Sequence, residues 1–207
     1  MSSPRPYHHG DLRTALLRQA ERTLAAGGAD GLSLRELARE VGVSHGAPRR
    51  HFADKQALLD ALAEDGYERL GRRLDAALGG SPETYEAGGF TPRLVTFAQA
   101  YVAFAVEHRA LLGLMHAPKD AARGERLREA NDRAFAAPVA LLAQARARGD
   151  IDGDTTGRVD LTVLAVLQGL AVLATTGMNG GLPLEELVSR TVGTLVAGLR
   201  PRETGTA

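Results

Sequence analysis

Apolar residues recur three and four positions apart through almost the whole chain, and glycines or prolines cut the recurrence at short intervals. Leu12, Leu16, Ala20 and Leu24 form one such series, and Leu58, Leu62, Leu70, Leu74 and Leu78 form another. This spacing puts each series on one face of an α-helix. No run of alternating β-branched residues with hairpin turn signals competes with it. The chain is therefore expected to be all-α, with amphipathic helices burying their stripes against one another. Its 207 residues suit one or two domains. Hydrophobic residues at 44% and charged residues at 24% match ordinary globular proteins, which argues against disorder and against a membrane class.

Local chemistry sets the expected helix ends. A first helix runs from near Asp11 to Gly27 and Gly28, where a C-terminus suits glycine. Ser33 to Glu36 has capping-box spacing and opens a helix with the stripe Leu34, Leu37, Ala38 and Val41. Gly42 interrupts it after about two turns, and Ser44 is placed to cap a short helix reaching about His51. Asp54 caps a long helix that ends at Gly79 and Gly80, and Gly79 to Phe90 reads as a linker. Thr91-Pro92 starts the next helix, Arg109 to Met115 a short one, and Asp120 to Arg148 a longer one kinked at Pro138. Helices over Thr155 to Thr176 and Pro183 to Leu199 complete the chain, ahead of a polar tail.

Two short helices across a glycine turn, Ser33 to Phe52, make a possible helix-turn-helix, whose second helix would reach base edges in the major groove. Charge adds little, since the whole chain is neutral and the basic excess between Arg5 and Lys55 is small. The particular residues add more. Leu34-Arg35-Glu36-Leu37-Ala38-Arg39-Glu40-Val41-Gly42-Val43-Ser44 and Arg50-His51-Phe52-Ala53-Asp54-Lys55-Gln56-Ala57-Leu58-Leu59 resemble the DNA-binding segment of the TetR family of transcriptional regulators. Tyr7-His8-His9-Gly10-Asp11-Leu12-Arg13 is similar to the opening of one branch of that family, and Tyr101 through His108-Arg109-Ala110-Leu111-Leu112 to Met115 resembles the same branch.

The resemblance implies that residues 1–53 form a three-helix DNA-binding domain and residues 54–207 a larger effector-binding and dimerisation domain. It implies that Ser44, His45 and Gly46 open the recognition helix, that His51 meets the backbone, and that Lys55 holds a phosphate. A lysine and exposed amides at a helix start suit a phosphate, and Gly46 allows close approach to DNA. Ser33, Arg35, Arg49 and Arg50 complete the expected DNA-facing set, with Leu37 and Phe52 assigned to the core. The family usually has an aromatic residue where this chain has Arg49, which follows Pro48. Arg49 is expected to grip a phosphate or pair with a guanine, against the alternative of a solvated arginine.

Tyr67, Phe97, Tyr101, Phe104, Met115, His116, Phe135, Gln168 and Met178 are candidates to line an effector cavity, although plain core packing accounts for each equally well. Tyr101, His116 and Gln168 are read as buried polar groups that orient a ligand. The segment Leu161 to Ala174 is apolar nearly all round but shorter than the roughly 20 residues that cross a bilayer. Cover on every side points to a homodimer interface, with Val163, Val166, Leu167, Leu170, Leu187 and Leu195 as its expected residues. The alternative is burial inside one monomer. No cysteine is present, His8 and His9 lack a third ligand nearby, and the Asp150, Asp152 and Asp154 spacing fails as a calcium loop at Thr155 and Leu161. No metal or cofactor is expected, and no catalytic set emerges. Without an apolar leader, a cytoplasmic location is expected.

The resemblance implies a dimeric repressor on a pseudo-palindromic operator, released when a small-molecule effector shifts the spacing of the two DNA heads through the helix that starts at Asp54. An activator, a regulator without a ligand, and a small helical enzyme or carrier stand as alternatives.

Overall fold

Each helix begins and ends where backbone chemistry allows. The computed structural model describes residues 9–79, 89–117, 121–152 and 158–200, and among these it contains nine α-helices and no strand. Helix α1, His9–Gly27, starts slightly before Asp11 and closes with Gly28 at φ 70°. Helix α2, Leu34–Val41, follows Ser33, an extended N-cap whose side chain makes no capping hydrogen bond. The expected capping box is thus absent, and the backbone alone closes the turn through Leu37 N–H donating to Ser33 O at 2.9 Å. Gly42 ends α2 at φ 78°, a left-handed conformation that a side chain would strain. Asp54 caps α3, Lys55–Leu78, as expected: its Oδ1 accepts the N–H of Ala57 at 2.8 Å.

Helix α4, Phe90–Glu107, begins one residue before Thr91, so Thr91 lies inside the helix and does not cap it. Helix α5 is Arg109–His116. The kink expected at Pro138 lies instead at Phe135, which separates α6, Ala121–Ala134, from α7, Ala136–Arg148. The break comes early because it places Pro138 in the first turn of α7. There a missing N–H has no intrahelical partner to lose. Helices α8, Arg158–Thr176, and α9, Leu184–Leu199, follow. His8, Asp154, most of the linker, the stretch at Thr155 and the polar tail lie outside the described residues.

The chain gathers into two compact units, and α3 supplies residues to both. The first comprises the described residues through Tyr67 together with His108–Ala130, and the second Glu68–Glu107 together with the described residues from Asn131 on. In the first, α1 packs on α2 and α5. Leu16, Leu37, Leu58, Leu62 and Phe52 lie in its core, each at 2% exposure or less. Full burial of such a side chain contributes about 1.5 to 3 kcal/mol. Glu21 of α1 meets the His108 ring at 2.9 Å, and Gln19 donates to Glu40 of α2 at 2.8 Å. In the second unit α4 is central, packed against α7, α8 and α9. Arg73 donates to both carboxylate oxygens of Glu107, at 2.6 and 2.9 Å.

Candidate nucleic-acid interface

The segment between α2 and α3 departs from the expected short α-helix. Ser44 to Phe52 is a succession of tight turns with one 3-10 helix, Pro48–Arg50. Ala47 N–H donates to Ser44 O at 2.9 Å, Arg50 N–H to Ala47 O at 3.2 Å and His51 N–H to Pro48 O at 3.0 Å, all three-residue spacings. Proline explains the choice. Residue 48 has no N–H to give to the carbonyl of Ser44, so that carbonyl is taken by Ala47 and the tighter winding continues. Pro48 is buried, and Phe52 behind it is 2% exposed. The Arg13 guanidinium lies 5.7 Å from the centre of the Phe52 ring, a cation held over its face.

This segment and the starts of α2 and α3 enclose a cleft of about 660 Å³. Ser33, Arg35, His45, Gly46, Arg49 and Lys55 line it, together with Leu32, Leu34, Ala53 and Asp54. Three permanent cations therefore face one carboxylate, and that carboxylate is occupied in capping α3. Lys55, expected to hold a phosphate, donates to the carbonyl of Asp30 at 3.1 Å and keeps two further N–H groups. Arg35, His45, Gly46 and Arg49 are exposed. Ser44, Arg50 and His51 stand outside the cleft lining. Ser44 and Arg50 are exposed, and His51 is half-buried with its ring 6.3 Å from that of Phe52.

Gly46 separates local fold from function. A Cβ built on it meets nothing within 4 Å, and its φ is not in the left-handed region. The chain's own packing does not require glycine there, in contrast to Gly42.

The candidates for an effector cavity divide between the units. Tyr67, Met115 and His116 belong to the first, where the Tyr67 hydroxyl donates to Met115 O at 3.0 Å and burial raises the phenol pKa. His116 is exposed by surface area, which corrects its assignment as a buried polar group; crowding around the ring still lowers its pKa by desolvation. Phe97, Tyr101 and Phe104 fill the interior of the second unit, at 2% exposure or less, and Tyr101 and half-buried Phe135 have ring centres 6.1 Å apart. Gln168 is only half-buried. Met178 is 70% exposed and lines no interior.

The expected dimer residues divide by exposure. Val163, Leu167 and Leu170 are buried within their own unit, where α8 packs on α4 and α9. Val166, Leu187 and Leu195 are half-exposed. The face of α8 that stays open carries Leu161, Leu164, Ala165, Gly169 and Val172, spaced three and four apart, with Leu161 68%, Leu164 40% and Val172 55% exposed. Uniform apolarity marked the helix in the sequence but carried no sign of which side its own unit takes. The apolar stretch is longer than Leu161 to Ala174, the segment read from the sequence: Val159–Thr176, of mean hydropathy 1.8, has the length and apolarity to cross a membrane, with 28% of it buried inside the chain's own fold.

Comparison with known proteins agrees with this architecture. Residues 16–62 match the family model described as bacterial regulatory proteins, tetR family, and residues 94–197, half of the chain, match that of the tetracyclin repressor-like C-terminal domain. An HTH-type transcriptional repressor of Mycobacterium tuberculosis is 40% identical over 63 residues, covering 30% of this chain and 34% of the repressor. The class C tetracycline repressor protein of Escherichia coli is 48% identical over 52 residues, covering 25% of this chain and 24% of that protein. The chain thus aligns with about a third and a quarter of these relatives' lengths. A solved structure of a protein of unknown function from Rhodococcus sp. RHA1 superimposes with a TM-score of 0.80 at 43% identity, over 96% of this chain and 100% of that one. With both family models matched in order along an all-helical fold, the chain belongs to the tetR family of bacterial regulatory proteins.

Proposed function

We propose that the protein is a homodimeric transcriptional repressor that binds a pseudo-palindromic operator and leaves it when a small-molecule effector binds. Residues 1–53 serve as the DNA head, and residues 54–207 serve effector binding and dimerisation, in the cytoplasm with the operator. The observation that carries this reading is the cleft at the starts of α2 and α3. Arg35, Arg49 and Lys55 crowd there around a single carboxylate, beside a glycine that the fold does not need. Three cations around one carboxylate already engaged in capping leave an excess of positive charge that suits a phosphate, and a missing side chain suits a duplex in close contact.

The open face of α8 supports dimerisation. Leu161, Leu164 and Val172 leave an apolar row in water that a second copy's α8 and half-exposed Leu187 and Leu195 of α9 cover. The effector acts by differential affinity: it favours the arrangement of the two heads that no longer fits the operator. Phe97, Tyr101 and Phe104 already fill the interior of the second unit, so an effector entering there displaces aromatic packing, which suits an apolar ligand.

Mobility shift on DNA flanking the protein's own gene tests the reading. Saturable, sequence-specific binding is expected, with affinity falling steeply as salt rises. Binding no tighter than to random DNA at physiological salt sinks it.

A further inference from the structure

The turn Pro48–Arg50 sends its two arginines in different directions. A 3-10 helix has three residues per turn, so neighbouring side chains leave it about 120° apart. Pro48 points into the core, and His51, three residues on, is half-buried beside Phe52 on that same side. Arg49 and Arg50 must therefore take the two remaining directions. Arg49 lines the cleft with Ser33, Arg35 and Lys55. Arg50 is exposed and lies outside that lining.

From this split, and resting on the DNA-binding reading above, we infer that Arg49 is the phosphate-holding arginine of the recognition segment. Arg50 is its base-reading arginine, and the base it selects is guanine. Arg49 shares its space with two other cations, an arrangement that becomes favourable when an anion sits among them. Arg50 lies outside that cluster, with its planar fork of donors in solvent. A guanine edge in the major groove offers O6 and N7 to such a fork at once, and arginine meets both with a rigid planar pair of donors where lysine brings a flexible point charge.

The two roles differ in measurable ways. Full-length protein is used to select its operator from a random pool, and binding is then followed by fluorescence anisotropy across a salt series. Matched fragments carry each half-site base pair changed in turn. Arg49→Ala is expected to weaken all fragments by one factor and to lower the salt slope by about two for a dimer, roughly 0.9 per phosphate contact. Arg49→Lys restores most of that loss, because a point charge suffices for a phosphate. Arg50→Ala is expected to remove the preference for guanine at one position per half-site, a discrimination of about five-fold to a hundred-fold. Arg50→Lys restores it less fully than Arg49→Lys restores affinity, because a flexible ammonium lacks the planar fork. The assignment is overturned if Arg49→Ala abolishes a single base preference, or if Arg50→Ala weakens all fragments equally. Failure of the unaltered protein to select any sequence overturns the DNA-binding reading and the assignment with it.

Discussion

The cleft of the first unit and the open face of α8 in the second are both surfaces that the chain leaves unused, and they differ in kind. The cleft is cationic, with Lys55 held by a backbone carbonyl and Arg49 in solvent. The α8 face is a row of aliphatic side chains that lacks any charge between Leu161 and Val172. A cationic surface gains by meeting phosphates and loses that gain in salt. An apolar face gains by leaving water, a gain that depends on protein concentration and hardly on ionic strength. The two surfaces therefore call for different partners, and each is open to a different measurement.

The contrast breaks first at α8. Leu164→Glu is expected to separate the dimer by light scattering and to weaken operator binding by about 10²- to 10⁴-fold, since two linked heads become one. A buried residue one turn along the same helix sharpens the test: Leu167→Ala costs about 2 to 5 kcal/mol of unfolding free energy by denaturant titration while the surviving folded protein stays dimeric. Dissociation by the buried variant and not by the exposed one would reverse the assignment of the two faces.

A smaller effect is expected at Gly46. Gly46→Ala should leave the unfolding free energy unchanged or raise it by about 0.4 to 1 kcal/mol, because no atom obstructs a methyl group there and the unfolded chain loses freedom. Operator affinity should nonetheless fall roughly ten-fold, the equivalent of losing about 1.4 kcal/mol of close contact. A variant that binds as tightly as the original removes the argument for close approach at this residue. Smallest is Lys55→Ala, expected to lower affinity for every DNA sequence alike, to reduce the salt slope by roughly 0.9 per head, and to cost about 1 kcal/mol of stability through the lost bond to Asp30.

Much of the recognition segment was readable because it depends on local chemistry. Gly42 stops α2, Asp54 caps α3, and Leu37 and Phe52 are buried, all from residue type and short spacing. The winding of residues 44–52 does not follow from the sequence despite Pro48, because a short α-helix and a string of tight turns share the same few residues. The capping box failed for a similar reason, since spacing permits a side-chain bond without compelling it. At Phe135, proline dictated that the helix break but left the position free within one turn. The effector candidates were chosen by chemical type, and exposure at His116 and Met178 comes from neighbours far along the chain.

From sequence alone came the all-helical architecture, the position of the helix-turn-helix and the family, because periodicity, caps and glycines act within a turn or two of themselves. Two matters were decided only in three dimensions. Residues on α8 that look alike by type divide into a buried face and an open one according to where α4 and α9 pack. Adjacent arginines at 49 and 50 part company because a buried proline anchors the turn and aims each in its own direction. Both outcomes turn on orientation about a helix axis, which a stripe of uniform residue type cannot encode and a packed neighbour can.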